Sequence, residues 1–116
     1  MPMVWVISSD SDTRRLIGLN LSKRGLCLQE MSSQGEMVRS GASPELIILD
    51  EDPHGRAGWK EAKALRRYPR LPDVPLILIV STAPTPSQLV SLQPVRWVEK
   101  PLAMDILLAL VQESLA

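Results

Sequence analysis

The sequence predicts a single α/β domain built on a parallel sheet. Its length of 116 residues is that of one domain. Three short runs, at 4–7, 46–49 and 76–80, are almost entirely apolar, which is typical of strands covered on both faces. Segments with helical spacing separate these runs. Strands that alternate with helices in this way favour a doubly wound sheet with right-handed crossovers.

Two weaker runs complete the expected set of five strands. They lie at 26–28 and 95–98, and their alternation of apolar and polar residues suits strands near the edges of the sheet. Gly25 is a favourable stop for the first helix. The expected helices run from residue 11 or 12 to 25, and over 34–40, 59–68, 87–92 and 104–115.

Composition excludes several classes of function. Thirteen basic and thirteen acidic side chains give a net charge of zero, so no overall field attracts nucleic acid or an anionic membrane. Cys27 is the only cysteine, which excludes an internal disulfide and every multi-cysteine metal site. No segment approaches the ~18 apolar residues of a bilayer span. We therefore expect an unprocessed cytoplasmic protein. The basic run at 66–70 is interpreted as a solvated helix end, because cations are favoured at the C-terminus of a helix.

Charged residues follow two of the expected strands at the edge where ligands bind in this architecture. Asp50 follows the run 46–49, and Lys100 follows the last strand. Carboxyl ends of parallel strands share one edge of the sheet, so these two side chains are expected to converge. A carboxylate can attack phosphorus while an ammonium holds the transferred oxygens. The same pair is equally consistent with an ion pair that performs no chemistry.

Several motifs share the order and spacing of one bacterial family. The first motif is the run 4–7, which is followed by Asp10 and then by residues 14–16. The others are the segment 44–50, Gly58 eight residues after Asp50, the segment 73–75 and the segment 97–101. Over essentially its whole length the sequence resembles the receiver domains of two-component response regulators. The resemblance implies one receiver-like domain over 1–116, with a flavodoxin-like (βα)5 topology and a five-stranded parallel sheet.

The resemblance assigns roles to three residues. Asp50 falls on the phosphoacceptor aspartate of the family, and Lys100 falls on its pocket lysine. Trp97 takes the place of the aromatic switch residue, three positions before that lysine. In an active receiver, Asp50 attacks a phosphodonor, Lys100 pairs with the phosphoryl group and Trp97 reorients.

Other pocket positions depart from the family pattern. Ser8 and Ser9 stand where the family has two consecutive acidic residues that hold magnesium, and Val80 replaces the hydroxyl residue that ends the fourth strand. Asp10 lies one residue beyond the acidic pair and is interpreted mainly as the N-cap of the first helix. Ser81 supplies the missing hydroxyl only if the strand is shifted by one residue. We therefore expect a degenerate pocket with no cofactor and with weak or absent magnesium binding.

The last helix is apolar over much of its circumference. Ile106, Leu107, Leu110, Val111 and Leu115 form the expected buried face, whereas Met104 and Leu108 lie away from it. In receiver domains the surface around the last strand and the last two helices is the usual partner or dimer face. The residues expected on this interaction face are Leu89, Val90, Trp97, Met104 and Leu108.

The preferred hypothesis is a signalling receiver or pseudo-receiver that is not an enzyme and acts mainly through protein contacts. Its expected partner is a histidine kinase or an output domain, with a homodimer through the last helix as a further candidate and no direct contact with nucleic acid or membrane. One alternative is an ordinary receiver phosphorylated on Asp50. Another is a flavin- or nucleotide-binding protein, because 8–13 is a hydroxyl-rich loop, although it lacks glycine and carries two aspartates. A docking domain without signalling input is the third.

Overall fold

The structure, a computed structural model, describes residues 2–32, 43–50, 58–67, 71 and 73–116. These residues contain five strands and four helices. The elements are β1 (Met3–Ile7), α1 (Ser11–Ser22), β2 (Cys27–Met31), β3 (Leu46–Asp50), α2 (Gly58–Arg66), β4 (Leu76–Val80), α3 (Pro86–Leu92), β5 (Val95–Glu99) and α4 (Met104–Leu115).

The five strands form one sheet in the order β2-β1-β3-β4-β5, and every neighbouring pair is parallel. This is the flavodoxin-like order, so the predicted fold class is confirmed. The second strand starts one residue later than predicted and extends to Met31, because it pairs with β1 along its whole length. The helix expected at 34–40 lies outside the described residues.

A hydrophobic core covers each face of the sheet. Strands β3 and β4 are buried at every position, as expected for central strands of a parallel sheet. The first cluster, on the side of α2 and α3, includes Trp5, Ile7, Ile47, Leu49, Leu65, Leu78, Val80 and Leu92. The second, on the side of α1 and α4, includes Val4, Val6, Ile17, Leu21, Ile48, Ile77, Val98, Leu107, Leu108 and Val111. None of the helices in the described ranges is long and apolar enough to cross a membrane.

Local signals explain where the helices begin and end. Asp10 caps α1, and Thr85 and Gln88 form a capping box at the start of α3. Helix α1 ends at Ser22, and Gly25, with φ of 80°, completes the turn that leads into β2. A left-handed backbone is strained for residues with a side chain, so glycine suits this position.

The Arg66 side chain differs from the predicted solvated helix end. It is half-buried, and its guanidinium donates hydrogen bonds to four main-chain carbonyls. The acceptors are Leu92 O at 2.9 Å from Nε, Leu71 O and Val74 O at 2.9 and 2.5 Å from Nη1, and Pro94 O at 2.7 Å from Nη2. Burial lowers the pKa of Arg66, although an arginine stays charged at neutral pH. Arg66 thus ties α2 to the segments that precede β4 and β5.

Candidate functional site

Asp50 and Lys100 meet at the carboxyl edge of the sheet, as the sequence predicted. Asp50 is the last residue of β3, and Lys100 directly follows β5. The Lys100 Nζ atom lies 3.0 Å from Asp50 Oδ1, and the exposed fractions of the two side chains are 29% and 4%. The Lys100 main-chain N–H donates to Val80 O at 2.8 Å, which fixes the turn that carries the lysine. The ion pair is therefore built on two buried parallel strands.

Ser8 occupies the other side of the Asp50 carboxylate. Its hydroxyl donates a 2.7 Å hydrogen bond to Asp50 Oδ2, and the residue is only 1% exposed. Main-chain contacts hold Ser8 in place, because its N–H donates to Met31 O at 3.0 Å and its carbonyl accepts from Arg14 Nη1 at 2.6 Å. The Asp10 N–H also donates to the Ser8 hydroxyl oxygen at 3.1 Å. Ser8 is therefore a rigid donor to the carboxylate.

Of the two buried carboxylate oxygens, Oδ2 accepts the hydrogen bond from Ser8, whereas Oδ1 forms the ion pair with Lys100 and accepts no hydrogen bond from the described residues. Burying an unpaired carboxylate is very costly, whereas pairing it with an ammonium and a hydrogen-bond donor offsets that cost. Lys100 supplies one positive charge to balance the single negative charge of Asp50. Asp50, Lys100 and Ser8 thus form one cluster in which a single ammonium faces a single buried carboxylate, and we call this set the Asp50 cluster.

Asp10 performs a different task from Asp50. Its Oδ1 atom accepts from the Asp12 N–H at 3.2 Å, and its Oδ2 atom accepts from the Thr13 hydroxyl at 2.7 Å. The hydrogen bond from Thr13, together with that from Asp12, lowers the pKa of this exposed carboxyl below its ordinary value. Both oxygens accept hydrogen bonds from the first turn of α1, so the interpretation of Asp10 as an N-cap is confirmed.

Two cavities border Asp50. An open cleft of about 360 Å³ lies on the Lys100 side, and a cavity of about 30 Å³ lies on the Ser8 side. The smaller volume suits one water molecule. The cleft is lined by Asp10, Thr13, Asp50, Ile79, Ser81, Lys100, Pro101 and Leu102, and the small cavity by Ile7, Ser8, Ser9, Ser32, Asp50 and Glu61.

The described donor atoms around Asp50 do not fit a magnesium ion. Magnesium requires hard oxygen ligands in near-octahedral geometry and is usually held by carboxylates. The Asp50 oxygens face Lys100 and the Ser8 hydroxyl, and the Asp10 oxygens cap a helix. In the part of the chain that the structure describes, no group of three or more histidine, cysteine, aspartate or glutamate residues is placed to hold a metal. Residues 51–57 lie outside that part.

The remaining pocket residues lie close to their predicted positions. Val80 is buried in the first core cluster at the end of β4, while Ser81 lines the cleft beside Lys100. Strand β4 ends at Val80 as predicted, and Ser81 is the next residue. Trp97 is half-buried, lies opposite Leu78 in the sheet and packs against the first core cluster. This places its ring on the side of the sheet that carries α2 and α3.

The prediction that Leu108 lies on the interaction face is wrong. It is 9% exposed and packs in the second core cluster beside Leu107 and Val111. Ile106 was predicted to be buried, but it is 50% exposed. Apolar residues surround most of this helix, so spacing alone could not decide which leucine or isoleucine faces the sheet.

The side of α4 that carries the exposed Ile106 lies towards the edge strand β5. Glu113 follows Ile106 by seven residues and so lies on the same side of the helix. Its Oε2 atom is 3.4 Å from Arg96 Nε on β5. Val90 on α3 is 71% exposed, and Leu89, Trp97 and Met104 are partly buried. The exposed apolar side chains near this edge are therefore Val90 and Ile106.

Sequence reasoning missed four residues near Asp50. Thr13 lines the cleft and holds Asp10, and Arg14 donates to the Ser8 carbonyl. Ser32 and Glu61 line the small cavity. Two sequence signals pointed to Thr13, namely its place in the hydroxyl-rich loop 8–13 and its position three residues after an N-cap aspartate. Ser32 and Glu61 belong to elements that only the fold brings to this edge.

Comparison with known proteins identifies the fold. No family model and no curated protein sequence matches the chain. Solved structures do match it along nearly the whole length. The chemotaxis response regulator CheY4 of Vibrio cholerae is 18% identical, with a TM-score of 0.80 and 98% of each chain covered. A two-component response regulator from Clostridium difficile is 21% identical, with a TM-score of 0.81 and coverage of 99% of this chain and 96% of that chain.

A third similar structure is the receiver domain of a sensor histidine kinase from Pseudomonas aeruginosa, solved with a magnesium ion in its active-site cleft. It is 17% identical, with a TM-score of 0.78 and coverage of 98% of this chain and 97% of that chain. The strand order, the sheet-edge ion pair and these similarities agree with one another. The chain therefore has the fold of the receiver domains of two-component response regulators.

Proposed function

We propose that this chain is a signalling receiver with a degenerate phosphoacceptor pocket, which acts mainly through protein–protein contacts. The observation that carries the proposal is the Asp50 cluster. Each oxygen of the carboxylate is already engaged, Oδ2 by the Ser8 hydroxyl and Oδ1 by the Lys100 ammonium. Magnesium-dependent phosphorylation of Asp50 is weakened or absent in this proposal, and the pocket keeps one arrangement.

Phosphorylation would require changes in this cluster. One Asp50 oxygen must attack the phosphorus atom of the donor, and the bond from phosphorus to the leaving group must break, with the leaving group taking the electron pair. Whichever oxygen attacks must first lose its present contact, which is with Ser8 for Oδ2 and with Lys100 for Oδ1. The negative charge that develops on the transferred oxygens requires stabilisation by positioned cations or donors. Lys100 is the one cationic side chain among the described residues that line the cleft.

The two serines that follow β1 also disfavour a metal ion beside Asp50. Ser8 is a hydrogen-bond donor to Asp50, and Ser9 lines the small cavity beside it. A serine hydroxyl is neutral, so this pair adds no negative charge with which to hold a divalent cation. The aspartate of the neighbouring loop, Asp10, already uses both oxygens to cap α1. We therefore propose that this pocket needs no metal and holds none tightly.

The ordinary phosphorylatable receiver is the second candidate, and one observation favours it. Asp50, Lys100 and Ser81 all line one open cleft of about 360 Å³. A similar receiver domain from Pseudomonas aeruginosa holds magnesium in its active-site cleft. The nucleotide-binding alternative has less support, since the Asp10 carboxylate occupies the start of α1, where a bound phosphate would be repelled.

Intact-mass measurement separates the two candidates. The protein is incubated with a small acyl phosphate and magnesium, and the variant Asp50→Ala is the control. We expect no gain of a phosphoryl group in the wild type. We also expect the double variant Ser8→Asp/Ser9→Asp to gain one phosphoryl group, because it restores two carboxylates beside Asp50. A phosphoryl group on the wild type but not on Asp50→Ala would establish the ordinary receiver instead.

The proposed partner face lies along β5 and the helices that flank it. Val90 and Ile106 are exposed there, at 71% and 50%. The two side chains belong to α3 and α4, the helices next to β5 in the chain, and β5 is the edge strand of the sheet. The proposed partner is a histidine kinase, an output domain or a second copy of this chain, and binding does not depend on phosphorylation.

A further inference from the structure

Two neighbouring residues at the end of the edge strand β2 hold the main chain of Ser8. Met31 acts directly, because its carbonyl accepts the Ser8 N–H at 3.0 Å. Glu30 acts through Arg14. Its Oε1 atom lies 3.7 Å from Arg14 Nε, and Arg14 Nη1 donates to Ser8 O at 2.6 Å. A guanidinium holds its donors in one rigid plane, so the position of Glu30 and that of the Ser8 carbonyl depend on each other.

The Ser8 hydroxyl has two acceptors within reach. Asp50 Oδ2 lies at 2.7 Å and Asp10 O at 3.3 Å, while the Asp10 N–H donates to the hydroxyl oxygen at 3.1 Å. Arg14 holds both ends of the turn at 8–10, since its side chain donates to Ser8 O and its main-chain N–H donates to Asp10 O at 3.0 Å. A hydroxyl rotates to the acceptor with the better geometry. The position of this turn therefore decides whether Asp50 receives the hydrogen bond.

Gly18 gives the Glu30 carboxylate its place beside α1. Glycine inside a helix is unfavourable relative to alanine, so a glycine at this buried position calls for a physical reason. A methyl group at Gly18 would lie 3.0 Å from Glu30 Oε2 and 3.3 Å from Glu30 Cδ, which is closer than an ordinary contact. Because glycine has no side chain, the carboxylate lies against the helix, within ion-pair distance of Arg14.

The ion pair between Glu30 and Arg14 lies at the surface, whereas the group that it positions is buried. The two side chains are 43% and 22% exposed, and Ser8 is 1% exposed. An exposed ion pair contributes little to the stability of a fold. We therefore expect the main consequence of this pair at the Ser8 hydroxyl rather than in the free energy of unfolding.

We propose that Arg14 is a positioning residue for Asp50, and that Glu30 sets the position of Arg14. When Glu30 is displaced, the Arg14 guanidinium loses its anchor. The Ser8 hydroxyl then turns from Asp50 to the Asp10 carbonyl, so the end of the edge strand β2 regulates the buried carboxylate. Because these residues keep the degenerate pocket in one arrangement, the coupling rests on the proposed function and adds a route of regulation to it.

The carboxyl carbon resonance of Asp50, measured by NMR on the isotope-labelled protein, tests this coupling. Ser8→Ala removes the hydroxyl and defines the shift that loss of the hydrogen bond causes. We expect Arg14→Gln to move the resonance in the same direction by most of that shift. Glu30→Gln should move it less, because Arg14 keeps its own contact with the Ser8 carbonyl. In the Ser8→Ala background, Arg14→Gln should cause no further shift, because Arg14 acts through Ser8.

Two further variants separate this coupling from a general change in α1. Gly18→Ala should shift the Asp50 resonance as Glu30→Gln does, since its methyl group displaces the carboxylate, although alanine is the better helix former. Arg15→Gln is the matched control. It makes the same change at the next residue of the helix, which is exposed, and should cause no shift.

The possible results distinguish this coupling from the proposed function itself. The coupling is overturned if Arg14→Gln leaves the Asp50 resonance at its wild-type position. It is also overturned if the Arg14→Gln shift persists in the Ser8→Ala background. A resonance that Ser8→Ala does not move would overturn the Ser8 contact, and with it both the coupling and the proposed function. Phosphorylation of the wild type on Asp50 would overturn the proposed function but not the order of these shifts.

Discussion

Removing the Lys100 ammonium should destabilise the protein because it leaves a buried carboxylate without its cation. In Lys100→Met the alkyl chain is largely kept while the charge is lost. At 3.0 Å the attraction between the two charges is about 5.5 kcal/mol for an effective dielectric constant of about 20. Water screens part of this attraction, since Lys100 is 29% exposed. We therefore expect a net loss of about 2 kcal/mol in the free energy of unfolding.

A double-mutant cycle separates the charge interaction from packing. In Asp50→Asn the carboxylate charge is gone, and Lys100→Met in that background should cost only about 0.5 kcal/mol, so the coupling energy is about 1.5 kcal/mol. Urea unfolding followed by tryptophan fluorescence measures each variant, and Trp5 is buried in the native state. Lys23→Met, the same change at an exposed lysine, is the control and should have almost no effect. A coupling energy near zero would refute the assignment of Lys100 as the partner that stabilises Asp50.

Three further predictions concern other parts of the molecule. Arg66→Met should lower the free energy of unfolding by about 3 kcal/mol, and Arg66→Lys should recover less than half of it, because an ammonium cannot reach four carbonyls in the plane of a guanidinium. Urea unfolding measures both, and equal stability of the lysine variant would contradict the role of the guanidinium fork. The contribution of Asp10 to stability, measured as the difference between wild type and Asp10→Ala, should be complete above the ordinary carboxyl pKa. Because the native pKa of Asp10 is lowered, the difference should disappear as the pH falls through that native value, and a difference that grows in acid would refute the capping role. Sedimentation velocity should show that the protein self-associates and that Ile106→Glu weakens this self-association. Glu113→Gln, on the same helix, is the control and should self-associate like the wild type. A wild type that stays monomeric would exclude the homodimer through this face.

The fold and the central pair were predictable from the sequence for a simple physical reason. Apolar runs such as 46–49 and 76–80 form strands buried on both faces, and the carboxyl ends of parallel strands lie at one edge of the sheet. A charged residue that follows each of two such strands must therefore lie near the other. Asp50 and Lys100 are such a pair, and the 3.0 Å between Lys100 Nζ and Asp50 Oδ1 confirms the prediction.

Other features depend on contacts between distant segments, which no local pattern encodes. The resemblance to receiver domains places Ser8 where that family has an acid, but the direction of its hydroxyl towards Asp50 depends on Arg14 and Met31, which hold its main chain. Arg66 looked like an ordinary cation at the end of a helix, because its carbonyl acceptors lie up to 28 residues further along the chain. Leu108 could not be assigned to the core, since α4 is apolar on several sides.

The central claim is that protein groups alone complete the Asp50 cluster, and a magnesium titration tests it most directly. NMR spectra of the wild type and of Ser8→Asp/Ser9→Asp are recorded as magnesium is added, with calcium-free buffer and Asp50→Asn as the control. We predict no saturable shift of the Asp50 or Lys100 amides in the wild type and a saturable shift in the double variant. Saturable binding by the wild type that Asp50→Asn abolishes would contradict the account.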